Sequence, residues 1–201
     1  FTVPIVSRIA ESSSSQKPFL VLISCLLSLR TKDVTTASAS ERLFNLAVSP
    51  KEMLRLSAGQ IEKAIYPVGF YRTKAKRIKE ICTTLIDKFS SRVPDSLEDL
   101  LTLKGVGRKT ANLVLTEGFG KLGVCVDTHV HRITNRLGFC RSGSPEETET
   151  CLRNRLPKRY WIEYNKLLVT WGQNICKSIS PLCGVCAVEK YCRKIGVGKH
   201  R

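Results

Sequence analysis

Three groups of residues in this chain have types and spacings that can do chemistry. The first is the segment Leu103-Lys104-Gly105-Val106-Gly107-Arg108-Lys109-Thr110-Ala111. Two glycines around one apolar residue let the backbone reverse between helices with φ > 0 and no Cβ in the way. The helix that follows aims its free N–H groups and the positive end of its dipole at the mouth of the turn, which suits a phosphate. Arg108 and Lys109 fall in that helix's first turn, where cations oppose the dipole, so local stability does not explain them. An amine beside a helix N-terminus and a second cation is disfavoured in its charged form. A neutral lysine is a nucleophile able to form a Schiff base with a sugar C1′. It needs a carboxylate to manage the proton and the developing positive charge.

Asp127, 18 residues further on in Val124-Cys125-Val126-Asp127-Thr128-His129-Val130-His131, is the best candidate. It follows a glycine-rich loop and opens a helix, so it also reads as an N-cap. His129 and His131 stand at i,i+2, which point apart on a helix, and are read as structural or DNA-facing. The third group is Cys176, Cys183, Cys186 and Cys192, spaced C-x6-C-x2-C-x5-C. Four thiolates this close suit a tetrahedral zinc or an iron–sulfur cubane, and only the middle pair has the short spacing usual for zinc. The other five cysteines (25, 82, 125, 140 and 151) sit among apolar neighbours and are expected as buried free thiols. Thiols in that number point to a reducing compartment.

The elements that must carry these residues are helices. The expected set is a short N-terminal helix over 3–10, one from Asp33 as N-cap to about Ala47, and one opened by Pro50. The clearest 3.6-residue pattern runs from Ala75 to Phe89. Ser96 caps 97–101, the hairpin leads into a helix to about Phe119, and others span about 128–137, 145–156 and 160–176. No pair of alternating strands is legible, so the class is all-α with about ten short helices. For the stripe of the 33–47 helix the pattern predicts Val34, Ala37, Leu43, Phe44 and Ala47 as buried.

Charge sets the partner. The 201 residues hold 33 Lys plus Arg against 17 Asp plus Glu, a net +16. Such a field favours polyanions, nucleic acid first. The basic residues are dispersed, including a run along Arg72–Lys79, which predicts a folded basic face. With 42% apolar and 25% charged residues the chain is globular and not disordered. Its longest nearly apolar run, 19–29, is short of the roughly 20 residues of a membrane span, so no membrane role is expected.

The hairpin resembles the helix-hairpin-helix of DNA repair glycosylases, with Lys104 where that family often has Pro. With the Val-Asp-Thr-His segment and the cysteine spacing, the chain from Pro18 to Arg193 resembles the endonuclease III family of DNA glycosylases and abasic-site lyases. The resemblance implies a six-helix barrel domain at about 11–121 containing the hairpin. It also implies a cluster domain of 1–10 plus 122–201, with DNA in the cleft between the two. It puts the catalytic lysine on Lys109, the catalytic aspartate on Asp127, and a structural [4Fe-4S] cluster on the four cysteines. DNA contacts fall on Gly105, Val106, Gly107, Arg108, Lys190 and Arg193. Arg30 and Phe70 stand where the family commonly has Gln and a Leu wedge; both can enter the space left by a flipped base. The implied substrate is double-stranded DNA with oxidised pyrimidines or abasic sites, handled by a monomer in the cytoplasm or nucleoid. A leader trimmed before Phe1 and a eukaryotic nuclear or organellar setting stay compatible with the sequence. Two other readings compete. A monofunctional mismatch glycosylase of the same superfamily generally lacks the hairpin lysine, and a non-catalytic iron–sulfur DNA-binding module has no need of Lys109 and Asp127 together.

Overall fold

The structure is a computed structural model that describes residues 16–201; the expected helix over 3–10 lies outside them. Every regular element among the described residues is helical. The α-helices are α1 (Lys17–Ser28), α2 (Asp33–Phe44), α3 (Pro50–Arg55), α4 (Ala58–Ile65), α5 (Tyr71–Phe89), α6 (Leu97–Thr102), α7 (Arg108–Leu113), α8 (Thr128–Leu137), α9 (Pro145–Arg155) and α10 (Trp161–Asn174). A π-turn, Val114–Gly118, extends α7, and single 3-10 turns occur at Lys158–Tyr160, Cys183–Val185 and Glu189–Tyr191.

The described chain divides into two compact units between Lys121 and Leu122. In the first, α1 is apolar on nearly every side and is therefore buried, as such a helix must be. Leu22, Ile23 and Leu27 have no exposure and share a core with Ile61, Ile65, Ile78, Ile81 and Leu85. The π-turn packs on α1 closely enough that a Cβ on Gly118 would meet Pro18 Cα at 3.1 Å. In the second unit Val124, Val126, Val130, Leu152, Trp161 and Val169 form a smaller core.

Helix starts follow capping chemistry. Ser49, Ser96 and Ser144 each accept the backbone N–H three residues on, and Ser57 with Gln60 forms a full capping box. Periodicity does not predict α4; its S-x-x-Q signature is the available signal. Two details of α2 differ from expectation. Lys32 occupies the cap, with Asp33 in the first turn, and the helix ends at Phe44. Its buried face is Thr36, Ala39, Ser40 and Leu43, while Val34 is 81% exposed. Leu43 and Ala47 of the expected stripe are buried and Phe44 partly so, but small polar side chains fill the start of the interface, Ser40 Oγ lying 3.4 Å from Ser24 Oγ, so the apolar pattern misplaces Val34.

The cysteine expectation also needs correction. Cys25, Cys82 and Cys125 are buried and outside any disulfide, but Cys140 and Cys151 are joined in one. Cys140 follows the end of α8 and Cys151 lies on α9. The packing of these neighbours brings their Cα atoms to 6.2 Å, within bonding geometry.

Candidate active site and cysteine cluster

The hairpin is built from few parts. Val106 is its buried anchor, 6% exposed, and its N–H donates to Leu103 O at 3.0 Å. Gly105 has φ 83°, as the turn requires. Gly107 does not: at φ −96° and ψ 174° it is an extended N-cap for α7. Its lack of a Cβ leaves open space, with nothing within 4 Å of where one would stand. The first turn of α7 thus begins without a side-chain cap, and Arg108 and Lys109 there are exposed. Lys104, the departure from the common Pro, has a partner: its Nζ lies 3.6 Å from Glu80, which also pairs with Arg77 at 3.0 Å. Arg77 in turn backs the turn, its Cδ only 3.1 Å from where a Cβ on Gly105 would stand.

The predicted basic face of α5 is in part internal. Lys74 is buried, and Lys79 Nζ donates to the carbonyls of Leu54 (3.3 Å) and Leu56 (2.5 Å). Their cationic heads tie helix ends together and are not offered to a ligand. On the same unit Arg30 and Phe70 are exposed and line one cavity of about 350 Å³ with Leu26, Leu29, Thr73, Lys74, Arg77 and Gly105. The Arg30 guanidinium lies over the Phe70 ring at 5.7 Å.

In the second unit Asp127 is the N-cap of α8. Its Oδ1 accepts the N–H groups of His129 (2.8 Å) and Val130 (2.9 Å), and the side chain is 9% exposed. Two charge-assisted bonds fix a carboxylate firmly. His129 Nδ1 pairs with Arg132 at 3.1 Å and His131 Nδ1 with Thr148 Oγ1 at 2.6 Å.

The far end of α8 holds the cysteine loops. Cys176, Cys183, Cys186 and Cys192 line one cavity with Arg136, Leu182 and Lys194. Arg136 donates to Lys177 O (2.7 Å), Ser178 O (2.8 Å) and Cys176 Sγ (3.4 Å). The Lys194 N–H donates to Cys192 Sγ at 3.4 Å, and Arg132 donates to Cys176 O at 2.7 Å. N–H donors aimed at sulfur suit thiolate ligands. Yet no three His, Cys, Asp or Glu groups among the described residues converge as ligands of one metal ion. Lys190 and Arg193 are exposed beside the loops. Lys190 lies over Tyr191, and the Arg193 stem fills the space a Cβ on Gly138 would need. Arg132 and Arg136 are the residues that sequence reasoning missed; a cation in each of the last two turns of the helix after Asp127 was the available signal.

These features have a family. Residues 23–158 match the HhH-GPD superfamily of base excision DNA repair proteins, and the chain belongs to it. Within it the likeness is to endonuclease III. The Thermotoga maritima endonuclease III is 46% identical over 98% of this chain and 94% of its own length. The mouse endonuclease III-like protein 1 is 39% identical over 91% of this chain, which spans 62% of that longer relative. A solved structure of a trapped endonuclease III–DNA covalent intermediate is 34% identical, with a TM-score of 0.83 over 94% of this chain and 91% of that one. The all-α class is that of these neighbours. The activity is accordingly base excision repair, by a DNA glycosylase that is also an abasic-site lyase.

Proposed function

We propose that this chain excises oxidised pyrimidines from double-stranded DNA and cuts the abasic site through a Schiff base on Lys109. The observation that carries the reading is Lys109, an exposed residue in the first turn of α7 two positions after a glycine N-cap whose Cβ position is open. The covalent DNA intermediate trapped for the similar endonuclease III supports a nucleophilic route.

Lys109 Nζ attacks C1′, the glycosidic bond breaks, and its electron pair leaves with the base. Opening of the sugar ring then breaks the C1′–O4′ bond, the ring oxygen gaining a proton as the nitrogen gives one up, and the imine so formed at C1′ acidifies the C2′ hydrogen. Loss of that proton drives β-elimination, which breaks the C3′–O bond on the 3′ side of the lesion. Asp127 serves as the carboxylate for the proton and for the positive charge at the sugar. Its caps to His129 and Val130 hold it in one rotamer, and such preorganisation is what electrostatic catalysis requires.

Arg108 and the hairpin backbone at Gly105–Gly107 receive a phosphate, and Lys190 and Arg193 another stretch of backbone. Arg30 and Phe70 enter the base stack at the flipped nucleotide. Cys176, Cys183, Cys186 and Cys192 hold a [4Fe-4S] cluster. Four thiols lining one cavity, N–H donors on two of them, and a spacing in which only the middle pair is short support that group over zinc. When bound, it cross-links the C-terminal loops and so shapes the surface carrying Lys190 and Arg193. No helix among the described residues is long and apolar enough to cross a membrane. The protein is read as a monomer, by its likeness to endonuclease III.

The test is borohydride trapping on DNA with an abasic site. Wild type should yield a covalent adduct and Lys109→Gln none. Base release with no adduct in wild type would point instead to a monofunctional glycosylase.

A further inference from the structure

Arg30 and Phe70 share an unusual backbone. Both have left-handed φ, 54° and 58°, without being glycine. That region is disfavoured for side chains carrying a Cβ and persists only where surroundings enforce it. The enforcing residue is Lys74. It lies one turn into α5, where its backbone N–H donates to Phe70 O at 3.0 Å. Its side chain, 9% exposed, runs to the turn that ends α1. There Nζ donates to Leu27 O (2.8 Å), Leu29 O (2.6 Å) and Thr31 Oγ1 (3.2 Å).

An ammonium has three donors and no acceptor, and all three are matched here by groups on either side of Arg30. Buried lysines are ordinarily paired with a carboxylate. The lining of this cavity holds two further cations, Arg30 and Arg77, and no acid. The charge of Lys74 therefore anchors backbone. The two anchored segments also touch directly. Thr31 Oγ1 accepts the Gly69 N–H at 3.2 Å, and a Cβ on Gly69 would lie only 2.7 Å from Arg30 O.

We propose that Lys74 is a positioning residue for DNA recognition, its head group and helix start locking Arg30 and Phe70 into one rigid probe so that both enter the duplex together. This rests on the reading of Arg30 and Phe70 as the residues that enter the base stack.

The experiment measures binding to duplexes carrying a tetrahydrofuran abasic analogue opposite each of the four bases, with 2-aminopurine opposite in a parallel set to report unstacking. The variants are Lys74→Met, which keeps the apolar stem, Thr31→Val, Arg30→Ala, Phe70→Ala, and the Lys74→Met/Arg30→Ala pair, each with a melting curve. Lys74→Met and Arg30→Ala should each weaken binding about tenfold, in line with loss of charge-assisted hydrogen bonds. Each should also flatten the opposite-base preference and reduce the 2-aminopurine signal. The double variant should be no weaker than Arg30→Ala alone, because residues acting through one another are not additive. Thr31→Val should move in the same direction by a smaller factor, and it supplies the comparison if Lys74→Met does not fold.

Multiplying effects in the double variant would overturn the proposal. So would wild-type preference in Lys74→Met, or in a folded Thr31→Val where Lys74→Met does not fold, while Arg30→Ala has lost it. If Arg30→Ala and Phe70→Ala both bind as wild type does, the reading of those two as DNA probes has failed, and the proposal goes with it.

Discussion

Asp127 caps α8 and, in the proposed reaction, also serves as the carboxylate; a single substitution separates the two. As N-cap it accepts two backbone N–H groups, and Asn is as good a cap as Asp. In the role proposed for it, it needs its charge. Asp127→Asn should therefore melt close to wild type yet excise bases roughly 100-fold or more slowly, the usual scale for loss of a proton-handling group. Equal losses in melting temperature and rate would assign Asp127 to capping alone. Lys74 carries a pH signature. Desolvation pulls its pKa from the ordinary 10.5 down to about 8. Between those values the unfolded chain holds the proton while the folded chain has released it. The Lys74 contribution to stability should accordingly rise as pH climbs from about 8 to 10.5, and be flat below 8. Burial pushes the Cys82 thiol up to about 12, which works in the opposite sense above its ordinary 9.0. Comparing denaturant midpoints of wild type and Lys74→Met across this range cancels Cys82 and isolates Lys74. A pH-independent difference would contradict the assignment.

Among the elements, α8 has the widest reach. It begins at Asp127 and ends in Arg136, whose guanidinium holds Lys177 O, Ser178 O and Cys176 Sγ. Arg136→Met should purify with less iron and weaker absorption near ~400 nm, the band expected of a thiolate-bound cluster. Iron content equal to wild type would deny Arg136 that role. The neighbouring disulfide joins Cys140 to α9. Thiol titration of denatured, unreduced, metal-free protein should give seven of the nine cysteines, and Cys151→Ala should cost about 2–3 kcal/mol, the scale for a short closed loop. Nine titratable thiols would contradict it.

How much of this was legible varies by element. The hairpin and the cap at Asp127 are local signals, and the structure forms a turn and a cap there, with Gly105 left-handed and Gly107 extended. The stripe of α2 was legible only toward its end, at Leu43 and Ala47; at its start Thr36 and Ser40 fill the interface where the pattern favours Val34. Nor was the disulfide, since pairing 11 residues apart depends on how α8 and α9 pack. The interior role of Lys74 was hidden for a related reason: a lysine in a basic helix reads as surface until its three carbonyl and hydroxyl partners are known.

For the whole molecule, the +16 charge is now divided by use. Lys74 and Lys79 anchor backbone and Arg132 and Arg136 hold the cysteine loops, while Arg108, Lys190 and Arg193 are exposed. Only residues of the last kind release counterions on binding DNA. The plot of log binding constant against log salt should be steep and should flatten by about 0.9 for each phosphate contact removed. Arg193→Gln and Lys190→Gln should each reduce it by that order, with little dependence on sequence. An unchanged slope would place the DNA backbone elsewhere.

The central claim is that Lys109 forms the covalent bond. Incubating wild type and Lys109→Gln with abasic-site DNA and borohydride, then weighing the products by mass spectrometry after proteolysis, tests it directly. The account predicts a wild-type adduct on the peptide containing Lys109 and none in the variant. An adduct on another residue, or an equal adduct in Lys109→Gln, would contradict it.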